Sequence, residues 1–297
     1  MPPKIGQFMG SCARAFSVRM WGVALGAAVW AAAPLLAQAA DIKSPRIAST
    51  SLCGDSYVLA LAPKHVNALS WQSQSPLSLA SPEQKSLPQV WDDPERLASF
   101  ETDLIVFGPG EGQFASKLPT RSFILKWGED FKTVFENAHA LSLELNTGHD
   151  VIKLWKARLE ALKTRKTRDI RPTVLYMSRS GGTAGKGTFV DAAIEAAGGQ
   201  NLIASFGWSS PDPEKLLGLS PDLIVTSYFA QGYESVQANA IRHKAVAAYI
   251  SRHPRVDIPG HVWPCAGPGL IEAAERIAKG LDALESLPDS SVRNEGM

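Results

Sequence analysis

Two stretches of this chain repeat one another at a fixed offset of 119 residues, Asp93 to Asp212. Asp93-Pro94-Glu95-Arg96-Leu97 and Asp103-Leu104-Ile105-Val106 recur as Asp212-Pro213-Glu214-Lys215-Leu216 and Asp222-Leu223-Ile224-Val225, with eight of fourteen positions identical. In each copy Asp-Pro predicts a helix start, because the Asp side chain accepts from an unpaired backbone N–H and proline's missing N–H costs nothing at the first helical position. The apolar run after the second Asp predicts a buried strand. A chain carrying the same helix–strand unit twice is constrained to two lobes built on one plan.

The pattern around each copy supports that plan. In the first half, strands are predicted at Arg46–Thr50, Val66–Trp71, Leu104–Phe107 and Ser122–Trp127, with helices at Ser56–Ala62 and Pro94–Phe100. In the second half, strands are predicted at Thr173–Met177, Leu223–Ser227 and His261–Trp263, with helices at Thr188–Ala197, Pro213–Leu219 and Gly269–Leu281. Short β-rich runs alternating with helical patterns predict an α/β fold of two Rossmann-like lobes, spanning residues 41–145 and 169–285. Between them Phe131 to Arg168 is helical in pattern and broken at Asn146-Thr147-Gly148. After the break, Val151, Leu154, Trp155, Leu159 and Leu162 form one apolar stripe, which predicts a connecting helix within residues 146–168. Its basic residues, among them Lys153, Lys156 and Lys163, are read as a solvated face.

The first forty residues hold Lys4, Arg14 and Arg19, no acid, and an apolar run from Met20 to Ala33, then Ala37-Gln38-Ala39. That is the layout of a secretory signal peptide, cleaved near Ala40, and it predicts an exported, periplasmic protein. Cys12 precedes the apolar run and so is no lipid-attachment site. Without those residues, 27 basic and 29 acidic groups remain. A near-neutral chain lacks the clustered positive charge that nucleic-acid binding requires, so no such partner is expected.

Ligands of open α/β sheets bind beyond the carboxyl ends of the strands. There the sequence places Trp71, Phe107, Trp127, Tyr228 and Trp263, with Trp91 and Trp208 just ahead of the repeated helices and Tyr233 nearby. Facing lobes would line one cleft with these rings, which suit a large, partly apolar ligand. The segment Ser180 to Thr188, with Gly181, Gly182, Gly185 and Gly187, approaches a phosphate-cradling loop, but three residues rather than four separate Gly181 from Gly185, and Gly187 stands where a Mg²⁺-binding hydroxyl belongs. A backbone turn close to a ligand, with Lys186 offered to an acidic group, is the expectation instead. The six histidines form no His-x-x-x-His pair and no Gly-x-Ser-x-Gly elbow occurs, so no enzymatic constellation is evident. Cys53 and Cys265 each lie between a strand and a helix. They can form a disulfide across the cleft, stay as free thiols, or contact a ligand's metal.

Taken together, Pro45-Arg46-Ile47, Cys53-Gly54-Asp55, Thr183-Ala184-Gly185-Lys186, Ala197-Gly198-Gly199-Gln200-Asn201-Leu202, Trp263-Pro264-Cys265-Ala266-Gly267-Pro268 and the paired repeats resemble the periplasmic substrate-binding proteins of ABC transporters for ferric siderophores, cobalamin and related iron complexes. The resemblance implies two α/β lobes joined by one long helix, with limited lobe movement. It also implies capture of a ligand and its delivery to a membrane permease dimer and its ATPase. Docking would use one surface glutamate per lobe, which map to Glu95 and Glu214. A ferric siderophore is the expected cargo, with Lys126, Arg179 and Lys186 as candidate donors. Cobalamin is the alternative, since Trp208 and Trp91 match ring-facing tryptophans of cobalamin binders, while His261 and Cys265 depart from their acidic and arginine contacts. Haem, with Tyr228, Tyr233 or His261 as axial ligand, is a third expectation. No resident metal, nucleotide or covalent cofactor is required, and a monomer suffices.

Overall fold

A computed structural model describes residues 45–165, 170–178, 181–227 and 244–285. The expected signal peptide, the flexible tail that the sequence predicts over 286–297, and the candidates Arg179, Tyr228 and Tyr233 lie outside the described residues. In the first lobe, β1 (Ile47–Ser49), β2 (Val66–Ser70), β3 (Gln89–Val90), β4 (Leu104–Phe107) and β5 (Arg121–Ile124) form a parallel sheet ordered β3-β2-β1-β4-β5. The chain starts in the middle, extends the sheet to one side and then crosses to the other, so the strand order reverses between β1 and β4. Such a reversal leaves a crevice at the carboxyl ends of those two strands.

Helices α1 (Leu52–Leu61) and α2 (Pro94–Ser99) start as the sequence dictates. The Ser51 hydroxyl accepts from Gly54 N–H at 3.2 Å, and the Asp93 carboxylate accepts from Arg96 N–H at 2.9 Å. Helix α1 begins four residues earlier than expected, because Ser51 and not a later residue supplies the cap. Alternation along the strands sorts the core. Ile47, Leu104 and Val106 face a layer containing Tyr57, Leu141, Ile152 and Trp155, whereas Ala48, Ile105 and Phe107 face Leu97 and Ala115.

The helical stretch after the first sheet is broken where the sequence predicts, into α3 (Phe131–Leu145) and the connecting helix α4 (His149–Lys163). The break falls at Asn146 and Gly148, which adopt left-handed conformations with φ of 50° and 86°. A Cβ on Gly148 would lie 2.9 Å from the Leu61 side chain, so glycine is required on both counts. Along α4, Ile152 and Trp155 join the first lobe's core while Leu159 and Leu162 join the second's. Leu154, expected on the apolar stripe, is exposed, and Ile152 takes the buried place.

The second lobe comprises β6 (Thr173–Ser178), β7 (Thr183–Ala184), α5 (Phe189–Ala196), β8 (Gln200–Asn201), β9 (Trp208–Ser209), α6 (Pro213–Leu217), β10 (Leu223–Ser227), α7 (Lys244–Arg252), β11 (Arg255–Asp257) and α8 (Leu270–Glu285). Strands β11-β10-β6-β8 form a parallel sheet, and β7 pairs antiparallel with β9 as a separate ribbon. Helices α5 and α8 cover one face through Val190, Ile194, Ile277 and Leu281, while α6 and α7 cover the other through Leu216, Val246 and Ile250. The strand expected at His261–Trp263 is instead a 3₁₀ turn, Gly260–Val262, and the edge strand is β11. Arg158 on α4 grips Glu275 on α8 through two parallel hydrogen bonds of 2.8 and 2.5 Å. The protein is therefore an α/β fold of two parallel-sheet lobes joined by a helix.

Candidate functional site

In a parallel sheet every strand's carboxyl end lies along one edge, so residues that follow the strands converge there. Trp71 opens the 3₁₀ turn after β2, Trp91 follows β3 and Trp127 lies three residues beyond β5. Their exposures are 59%, 41% and 70%, far above what the hydrophobic effect favours for free indoles. Trp91 is backed by the Arg96 guanidinium 4.5 Å from its ring centroid, and Arg96 is itself fixed on the Gln89 carbonyl at 2.8 Å. Beyond β6, Trp208 on β9 is 54% exposed and leans on Phe189, with ring centroids 5.2 Å apart.

The other predicted aromatics have different places. Phe107 is fully buried and meets Phe114 edge-on at 6.0 Å, because its position in the alternation of β4 points it toward α2. It is a core residue and not part of the site. Trp263 is also buried, 5.9 Å from both Tyr176 and Phe189, the two rings that Trp208 also packs against. Its indole N–H has no hydrogen-bond partner among the described residues. Burial raises the Tyr176 hydroxyl to about 12, so it stays protonated.

Cys53 and Cys265 are joined as a disulfide, which removes them as thiol contacts to a ligand. The bridge links the start of α1, beyond the carboxyl end of β1, to a 3₁₀ turn (Pro264–Ala266) beyond β11. Next to it Gly128, after β5, packs so closely that a Cβ there would lie 2.9 Å from the carbonyls of Cys265 and Ala266. The carboxyl-end loops of both sheets thus meet at this point.

The glycine-rich segment does not cradle an anion. Lys186 N–H donates to Ser205 O at 2.8 Å and Gly207 N–H donates to Lys186 O at 3.0 Å, so these backbone groups are spent on the ribbon. A Cβ on Gly185 would sit 1.9 Å from Ser205 O, which explains the glycine as a crossing of two chain segments. Asp191 accepts from Gly187 N–H at 3.1 Å and from the Asn201 amide at 2.8 Å, locking the ribbon to α5 and β8. The ribbon presents Trp208, the exposed side chain of Lys186 and, at 83% exposure, Phe206.

Sequence reasoning missed the loop after β4, Gly108-Pro109-Gly110-Glu111-Gly112. Glu111 Oε2 accepts from the Thr50 hydroxyl at 2.6 Å and from Gly108 N–H at 2.7 Å, directly over the β1/β4 crevice. Gly112 N–H donates to both carboxylate oxygens of Asp92, at 3.2 and 3.3 Å. Gly110, with φ of 84°, faces the Trp127 ring, which a Cβ there would meet at 3.8 Å. A lone acid between three glycines immediately after a strand was the available signal. Deeper in the same lobe, Asp55 accepts from Ser70 N–H at 3.0 Å and the Ser70 hydroxyl at 2.6 Å. Burial pushes its carboxyl up to about 6, with the Ser70 and Ser49 contacts opposing and the nearby Glu111 charge adding to the rise. Lys126, a predicted donor to ligand, is held by Glu136 at 3.0 Å.

Glu95 and Glu214 occupy equivalent exposed positions, the second residues of α2 and α6. Both helices start on the carboxyl side of their sheets, a few residues after Trp91 and Trp208.

No protein-family model matches the chain. Among curated proteins, it is 36% identical over 120 residues to a "Cobalamin-binding protein" of Halobacterium salinarum, found in two strains. The match covers 38% of this chain and 32% of that protein, so the chain spans about a third of the relative's length. Among solved structures, the periplasmic vitamin B12 binding protein BtuF of Vibrio cholerae aligns with a TM-score of 0.61 and 19% identity, over 82% of this chain and 99% of that one. The periplasmic heme binding protein HutB of Vibrio cholerae aligns with a TM-score of 0.64 and 18% identity, over 80% and 98%. The chain has the fold of these periplasmic binding proteins.

Proposed function

We propose that this chain is an exported substrate-binding protein of an ABC importer and that its cargo is a corrinoid. The observation that carries the reading is the placement of Trp71, Trp91, Trp127 and Trp208, all exposed, on the carboxyl edges of two sheets whose loops meet at the disulfide. Rigid indole faces bind a broad, partly apolar macrocycle at little entropic cost. The partial match to a relative named as cobalamin-binding supports the same cargo. A ferric siderophore is the second reading, favoured by the exposed Lys186 on the ribbon beside Trp208. It draws less support, because Lys126 is already engaged by Glu136.

In this reading the tryptophans bind cargo between the lobes, the chain works as a monomer, and Glu95 and Glu214 meet cationic groups on the permease dimer. Binding and release involve no bond making, so the protein is a carrier and not an enzyme.

The test is titration of the purified mature protein with cyanocobalamin, a panel of ferric siderophores and hemin, followed by tryptophan fluorescence corrected for absorbance and by calorimetry. Saturable binding of cyanocobalamin at micromolar or tighter affinity, weakened in Trp208→Ala and Trp71→Ala, is the expected result. Binding of a siderophore or hemin alone transfers the assignment to that class, and binding of none refutes it.

A further inference from the structure

The crevice between β1 and β4 is closed by a carboxylate that is only half used. Glu111 Oε2 takes both available donors, the Thr50 hydroxyl and Gly108 N–H, while Oε1 accepts no hydrogen bond among the described residues. The side chain is partly exposed, on a loop where a Cβ added to Gly110 would come within 3.8 Å of the Trp127 ring. Its placement is fixed at both ends. Gly108 has no room for a Cβ, which would lie 2.4 Å from Ser51 Oγ, and Gly112 is tied to Asp92. The loop therefore holds a charged acceptor in one orientation at the switch point of the sheet, beside an exposed indole. The local charge is acidic: Asp55 lies close enough to Glu111 for the two to interact, and Asp92 anchors the same loop.

We propose that Glu111 is a specificity-determining ligand contact, whose free Oε1 accepts from amide N–H or hydroxyl donors on the cargo's periphery and repels peripheral carboxylates. This rests on the corrinoid reading above and sharpens it. A neutral macrocycle fringed with carboxamides satisfies a buried-edge carboxylate, whereas one fringed with carboxylates brings like charge against it. The Trp faces alone do not distinguish these two classes, because both present a broad apolar ring.

Glu111→Gln separates the roles. The amide oxygen can replace Oε2 and still accept from Thr50 and Gly108, while the amide NH₂ replaces Oε1 and turns the free acceptor into a donor. The probes are cyanocobalamin, which carries peripheral carboxamides, and hemin, which carries carboxylates. Calorimetry on wild type, Glu111→Gln and Glu111→Ala is read beside hydrogen exchange of the Gly108 to Gly112 amides. The expected result for Glu111→Gln is a loss of about tenfold or more in cyanocobalamin affinity, as for a hydrogen bond to a charged acceptor, with hemin affinity unchanged or improved and loop protection retained. Glu111→Ala should lose cyanocobalamin affinity and loop protection together. If Glu111→Gln binds cyanocobalamin within about twofold of wild type, far below the loss of a charged hydrogen bond, Glu111 only positions the loop and the proposal is overturned. Equal loss of protection in both variants overturns it as well. A wild-type protein that binds neither probe defeats the corrinoid reading, and the Glu111 assignment falls with it.

Discussion

Replacing both Cys53 and Cys265 with serine tests how far the structure depends on one covalent tie. The bridge spans a sequence separation of 212 residues, and the chain-entropy relation assigns a closed loop of that length about 5 kcal/mol of destabilisation of the unfolded chain. That figure rivals the whole folding free energy of an ordinary domain. The noncovalent contacts around the bridge persist without it: Gly128 still abuts the Cys265 and Ala266 carbonyls, and α4 still joins both cores. The native state should thus be intact but much less stable. In equilibrium urea unfolding of the oxidised mature protein against the double serine variant, the midpoint should fall by about 2 M if the slope is about 2.5 kcal/mol/M. Adding reductant to the wild type should reproduce the variant's midpoint. A fall of less than about 0.5 M with an unchanged slope would refute the reasoning, because it would mean that the unfolded chain loses little freedom through the crosslink.

The buried Asp55 gives a prediction about pH. Its folded value of about 6 lies above the ordinary 3.8, so its contribution to stability is full below pH 4 and is lost as pH rises to 6, a change of about 3 kcal/mol. Asp55→Asn should flatten that part of the curve in urea midpoints measured from pH 4 to 7; an identical slope in wild type and variant would contradict the assignment. For the docking surface, Glu95→Ala with Glu214→Ala should leave the ligand Kd unchanged and reduce permease association about tenfold or more, measured with the permease in proteoliposomes, with the loss shrinking at high salt. Undiminished uptake by the double variant would remove both residues from that role.

The repeat made much of this fold legible. Asp-Pro at 93 and 212 starts α2 and α6, and the buried runs that follow are β4 and β10. These features are written in local chemistry: a proline where no N–H is needed and an unbroken apolar strand in both copies, and a capping acid at Asp93, whereas the Asp212 side chain makes no cap hydrogen bond. The four exposed tryptophans were legible too: Trp71 and Trp127 because the end of a strand can be read from its apolar run, Trp91 and Trp208 because they precede the repeated helix starts. Phe107 was misplaced because residues alternate along β4, and which face meets α2 is decided by packing between elements. The 3₁₀ turn at Gly260–Val262 defeated the strand reading because a run of β-forming residues beside Pro259 and Pro264 has no room to extend. Glu111 escaped notice for a different reason. Its bond to Gly108 is local, but its other partner, Thr50, reaches it only through the β1/β4 pairing, so the glycine-flanked acid did not by itself reveal its role. The same holds for the glycine-rich segment, whose tight crossing with Ser205 becomes visible only once the ribbon is formed.

The lobes are held together by α3 and α4, whose residues enter both cores, by Ile271 of α8 in the first lobe's core, and by the Cys53–Cys265 bridge at the carboxyl edges. With a packed helical seam on one side and a covalent tie on the other, a wide jaw-like swing would have to break core contacts, so small adjustments of one lobe against the other are the motion this arrangement favours. Empty and loaded molecules are then expected to differ little, with the entrance keeping nearly constant width.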